Sequence, residues 1–161
     1  MDTVQKADSA RKTEPSLPFM LDVYRSAQLR FLAAQPLHDP DLLGRYASLL
    51  MENLPPMAVV LCLLDKKYTL IETHVLASGP LAEPENYVPL IVPLYKKANA
   101  ACGAVLLAPR AGEYGYTGED ERLASKITLY CQRQKIRLLE CVTAWSGGYV
   151  PIYRHVGFTF R

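Results

Sequence analysis

The stretch AVLLAPRAGEYGYTGED, residues 104–120, decides how the chain is read. It opens on Ala104, Val105, Leu106 and Leu107, a continuous apolar run of the kind that forms a strand buried on both faces. Glycines at 112, 115 and 118 then punctuate a loop. Thr117 supplies an N-cap, and Glu119, Asp120 and Glu121 place negative charge at the positive end of a helix dipole. Strand, loop, helix is the expected local order. Loops that leave buried strands commonly present functional groups. This one carries Arg110, Glu113, Tyr114, Tyr116, Thr117, Glu119 and Asp120, with neither histidine nor cysteine. Those residue types suit contact better than bond making, because tyrosine and arginine dominate interface hot spots.

The flanks extend the alternation. Upstream, residues 83–100 carry Tyr87, Leu90, Ile91, Leu94, Tyr95 and Ala98 at three- and four-residue steps, which predicts a helix kinked at Pro93. Residues 57–65, MAVVLCLLD, read as a central strand; the polar turn at Asp65, Lys66 and Lys67 leads into an alternating partner strand over 68–76. Earlier still, Leu17, Met20, Leu21, Tyr24, Ala27, Phe31 and Ala34 mark an amphipathic helix. A second helix is expected from Asp39 as N-cap, with Pro40 in its first turn and Leu42, Leu43, Tyr46, Leu49 and Leu50 buried. Downstream of the opening stretch the helix runs to about Lys135, with Leu123, Ile127, Tyr130 and Cys131 inward. A strand over 136–145, a Gly147–Gly148 turn and a last strand over 149–153 follow, Pro151 marking a sheet edge. The order predicts an α/β or α+β fold with a mixed sheet.

Composition bounds the rest. A chain of 161 residues, half apolar and 21% charged, supports one sizeable core. Residues 1–15 read as a mobile arm, 16–54 as a helical extension and 55–161 as the main domain. The net charge of +2 is too small to imply nucleic acid, although Lys6, Arg11 and Lys12 concentrate part of it in the arm. With no long apolar run and no signal-peptide core at the N-terminus, a soluble cytoplasmic protein without membrane contact is expected. Cys62, Cys102, Cys131 and Cys141 are scattered and read as reduced core residues. His38, His74 and His155 are scattered too, and no cofactor motif is found: the glycines of 112–118 lack the lysine and spacing of a P-loop.

From 57 to 158 the chain resembles the JAB/MPN (JAMM) domain of RadC-family proteins. MAVVLCLLDKKYTLIETHVLASG is similar to that family's opening hairpin, and LAEPENYVPLIVPLYKKANAACGAVLLA to its long helix and buried strand. TGEDERLASKITLYCQRQKIRLLECVTAWSGGYVPIYRHVGF is similar to its second helix and closing strands. The resemblance implies a cytidine deaminase-like mixed β-sheet flanked by helices. Active members bear H-x-H-P-S-G followed by a Ser and, three residues on, an Asp, with both His and the Asp on zinc. Here the loop is Ala108-Pro109-Arg110-Ala111-Gly112, shorter and without either His. Thr117 falls on the Ser and Asp120 on the ligand Asp, while Met57 stands where the family has its catalytic Glu; Glu52 lies five residues earlier, a poor substitute.

A zinc hydrolase needs three protein ligands, an open position and a base for the bound water. The resemblance therefore implies a pseudoenzyme with neither catalytic nor metal-binding residues, Thr117 and Asp120 being vestigial. It would act through protein contacts or self-association, with Arg110, Glu113, Tyr114 and Tyr116 as the candidate binding loop. Two alternatives stand beside it: a DNA-associated RadC-type protein, for which no glycine-containing helical hairpin is found in residues 1–56, and a metallopeptidase with relocated ligands His74, His155 and Asp120.

Overall fold

A computed structural model of the chain describes residues 17–152. Two helices come first, α1 (Leu17–Ala33) and α2 (Pro40–Met51), then a hairpin of β1 (Val59–Leu64) and β2 (Leu70–Ala77). Next are α3 (Pro84–Tyr87), a 3₁₀ turn (Val88–Leu90), α4 (Ile91–Lys97), β3 (Cys102–Leu107), α5 (Gly118–Arg133), β4 (Leu138–Trp145) and β5 (Gly148–Pro151). The sheet order is β2-β1-β3-β4-β5. β1 lies antiparallel to β2 and to β3, β3 lies parallel to β4, and β4 is antiparallel to β5. The fold is thus mixed α/β, a five-stranded mixed sheet flanked by helices. Among the described residues no helix is long and apolar enough to cross a membrane.

Every residue of β1 and β3 is buried, as continuous apolar runs require in strands covered on both faces. Alternate side chains feed two cores. Val60, Cys62, Ala104 and Leu106 pack with Leu43, Tyr46 and Ala47 of α2, while Leu61, Leu63, Val105 and Leu107 pack with Ala124, Ile127 and Cys131 of α5. The extension helices therefore share a core with the sheet.

Capping chemistry explains where helices start. The Asp39 carboxylate accepts from the Asp41 amide at 2.9 Å, with Pro40 at the first helical position. In the β1–β2 turn Asp65 accepts from the Lys67 and Thr69 amides. The Thr69 hydroxyl, that residue's amide and Lys67 together hold the Asp65 carboxyl below its ordinary value. α2 is tied to β5 by Ser48 Oγ donating to the Gly148 carbonyl at 2.7 Å and by Tyr149 OH donating to Asp41 Oδ1 at 2.6 Å.

One expectation changes, and two features go beyond the sequence reading. Residues 83–100 do not make one kinked helix: the segment breaks into α3, the 3₁₀ turn and α4. Pro89 has no N–H to offer the Glu85 carbonyl, whereas Pro93 falls in the first turn of α4, where its missing N–H costs nothing. The β4 ladder carries an extra residue, Gly103 opposing Leu138 but Val105 opposing Cys141, which local pattern does not signal. The apolar stripe of α1, which on sequence alone could cover a sheet or another subunit, does not face the sheet at Met20, Tyr24 and Phe31, which are exposed, and the helix packs through Leu29, Leu32 and Ala33. The N-terminal arm, with Lys6, Arg11 and Lys12, lies outside the described residues, as do His155 and the last residue of the expected 149–153 strand.

Candidate functional site

Beyond the last β1–β3 pair the two segments stay joined: the Ala108 amide donates to the Ala58 carbonyl at 2.9 Å and the Met57 amide to the Pro109 carbonyl at 3.1 Å. This clamp brings the start of β1, the end of β3 and the N-terminus of α5 around a cleft of 180 Å³ lined by Met57, Gly79, Pro80, Ala108, Glu119 and Asp120. The two positions at which the resemblance would put the catalytic Glu and the ligand Asp, Met57 and Asp120, thus line one cleft. Met57 holds a left-handed backbone, φ 61°, a conformation costly for a side chain with a Cβ.

Asp120 is already engaged. Its Oδ2 accepts from the Thr117 amide at 2.9 Å, and Thr117 Oγ1 accepts from the Asp120 amide at 3.4 Å. This reciprocal capping box satisfies donors that the first turn leaves open. The rest of the cleft offers a thioether at Met57, the Tyr87 side chain and the Glu119 carboxylate, whose Oε2 accepts from Arg110 Nη2 at 2.8 Å. Such a donor set does not fit a zinc hydrolase centre, which needs three committed ligands around an open position. Among the described residues no three His, Cys, Asp or Glu side chains form a group that would hold a metal ion.

The loop that follows β3 builds a second surface. Its Arg110–Glu119 pair ties it to the start of α5, and the Glu113 amide closes a turn on the Arg110 carbonyl at 3.0 Å. Tyr114 is 77% exposed, and its ring meets Trp145 edge-on, centroids 5.9 Å apart and planes at 62°. Together they wall a 390 Å³ slot completed by Pro55, Pro56, Arg110 and Ser146. Tyr116 turns the other way and packs, half-buried, against the α5-side core. Of the four loop residues expected to form a contact surface, Arg110, Glu113 and Tyr114 face out. Trp145 and the two prolines were missed by sequence reasoning; the available signal was that parallel neighbours end on the same side, so the last residue of β4 must stand beside the loop leaving β3.

The remaining candidates are accounted for by local structure. His74 Nε2 lies 2.6 Å from Glu72 Oε2 on β2, and the His38 ring lies 4.4 Å from that of Tyr68. The relocated set needs His155, which lies outside the described residues. Glu52 pairs with Arg25 at 3.1 Å and accepts from Ser146 Oγ at 3.4 Å, joining α1, α2 and the β4–β5 turn. All four cysteines are buried and free. Burial pushes the thiols of Cys62, Cys131 and Cys141 up to about 12, so they are protonated and unreactive at neutral pH.

Compared with protein-family models and with the curated proteins, the chain gives no match.

Proposed function

We propose that this chain is a catalytically inactive RadC-like JAB/MPN domain that works through protein contacts, with the slot between Tyr114 and Trp145 as its binding surface. The observation that carries the reading is the state of Asp120: the one surviving ligand position of the family pattern is bonded into the cap of its own helix, with Met57 at the position where the family has its catalytic Glu and the nearby Glu119 paired to Arg110. The mixed sheet flanked by helices is in keeping with the implied fold. Solvent-facing Tyr114, the Trp145 face, two prolines and a guanidinium are groups that anchor protein interfaces through aromatic area and charge-assisted hydrogen bonds. On this reading the domain has no turnover of its own.

The test is affinity capture with the intact chain, compared with Tyr114→Ala and with Tyr114→Ala/Tyr116→Ala. A defined partner should be retained by the native chain, weakened by about tenfold or more with Tyr114→Ala, and affected little further by the second change. Capture that is indifferent to Tyr114 would refute this surface. Steep salt dependence of binding to a DNA duplex would favour the nucleic-acid alternative instead.

A further inference from the structure

Helix α1 is apolar on two opposite faces. Its inner face, Leu29, Leu32 and Ala33, packs on the core beside α2. Opposite lie Met20, Val23, Tyr24 and Phe31, which remain 54%, 50%, 61% and 66% exposed, with Ala27 exposed among them. At helical pitch these five fall within an arc of about 100°. The inner face packs through the last turns and Arg25 pairs with Glu52 at 3.1 Å, so Met20, Val23, Tyr24 and Ala27 lie on the side away from the core. A helix apolar on both faces is ordinarily buried on both.

The second half of α1 borders an opening. Gln28, Phe31 and Leu32 form one wall of a 460 Å³ groove, Leu49 lies on the α2 side, and Gly148 and Tyr149 close it. The exposed stripe thus runs from Met20 to the edge of a groove at Phe31.

We propose that two copies of this chain pair through α1, antiparallel about a two-fold axis near Ala27. That axis lays the exposed Met20, Val23 and Tyr24 of each helix along the groove of the other copy, so one contact covers stripe and groove, twice. Residue by residue it sets Val23 against the partner's Phe31, and Ala27 against the partner's Ala27, where the small side chains let the helices approach closely. It also brings Arg30, exposed, beside the partner's Tyr24, a suitable face for a guanidinium. The four large side chains present about 450 Å² per copy; doubled, with the groove added, this approaches the roughly 1,200 Å² at which specific interfaces begin. The contact is therefore a reversible dimer. The pairing uses neither Tyr114 nor Arg110 and stands apart from the function proposed above.

The experiment is sedimentation of the whole chain across a concentration series reaching about 100 µM. The native chain should show a monomer–dimer equilibrium, and Tyr24→Glu/Phe31→Glu should weaken it by about 100-fold or more with an unchanged circular dichroism spectrum. On oxidation Ala27→Cys should cross-link to its twin. Met20→Cys should not, since an axis at 27 separates the two copies of residue 20 by about 20 Å along the helix. A native chain monomeric throughout would give the stripe to residues 153–161, to lipid or to a different protein, and would overturn the proposal. A dimer indifferent to the two glutamates, or cross-linked at 20 rather than 27, would overturn it as well.

Discussion

Gly44 sits in the middle of α2, where glycine is ordinarily a weakness. Replacing an interior helical glycine with alanine normally stabilises by about 1 kcal/mol. Here the sign should reverse. A Cβ on residue 44 would lie 2.3 Å from three ring atoms of Tyr149, well inside contact distance, and the ring has little freedom because its hydroxyl is bonded to Asp41 at 2.6 Å. Expelling the ring costs the overpacking strain of a tight interior, about 1–3 kcal/mol, and also weakens a hydrogen bond to a carboxylate worth about 1.5 kcal/mol. Set against the helix gain, Gly44→Ala should destabilise by about 2 kcal/mol, near 6 °C in melting temperature for a chain of this size. In a Tyr149→Ala background the clash is gone and the same change should stabilise by about 1 kcal/mol. Urea denaturation of the native chain, both single variants and the double variant gives the four stabilities, with an expected coupling of about 3 kcal/mol. A Gly44→Ala variant more stable than the native chain would refute the docking of α2 on β5.

Other outcomes follow from the same structure. Asp120→Ala removes half of the α5 capping box and should cost about 1 kcal/mol by thermal melting; a loss of more than about three times that would mean the carboxylate does something besides capping. Lys135 takes the left-handed backbone, φ 57°, just past α5, with its amide and that of Ile136 returning to the Gln132 and Cys131 carbonyls. Lys135→Gly should therefore raise stability by about 1 kcal/mol, read as a higher melting temperature. The buried thiols of Cys62, Cys131 and Cys141 are held at about 12 against an ordinary 9.0. The folded state binds more protons than the unfolded chain between those values. Stability is thus fully present below pH 9 and lost as pH rises from there towards 12, by about 1 kcal/mol per thiol at pH 10. Urea midpoints at pH 7, 9 and 10 check the slope, and a thiol reagent at neutral pH should titrate the described cysteines after unfolding only.

Much of this fold was legible because its signals are local. The apolar runs at 57–65 and 104–107 read as strands covered on both sides and fall in β1 and β3, and Asp39-Pro40 and Thr117 each announce a helix start through a side-chain acceptor and first-turn chemistry. Pro151 marked the sheet edge it occupies. What failed depended on the third dimension. Three- and four-residue spacing persisted through 83–100, yet Pro89 lacks the donor that one continuous helix requires there. The apolar stripe of α1 was legible as a stripe that could cover a sheet or another subunit; that Leu29, Leu32 and Ala33 instead meet the core was not, because periodicity does not say which of two apolar faces packs inward. At the candidate site the loop residues were identifiable by type, whereas Trp145 joins them only through the parallel β3–β4 pairing, a contact between strands separated by a whole helix. The role of Asp120 in the first turn of its helix was legible in the sequence; its reciprocal bond with Thr117 through Oδ2 is seen only in the structure.

On the function proposed above, the cleft at the end of β3 holds no metal. The most direct measurement is the zinc content of untagged protein purified without chelator, before and after exposure to a small excess of zinc. The account predicts no zinc above background and no calorimetric binding, in the native chain and in Asp120→Ala alike. Stoichiometric zinc that survives dialysis and is lost with Asp120→Ala would contradict it.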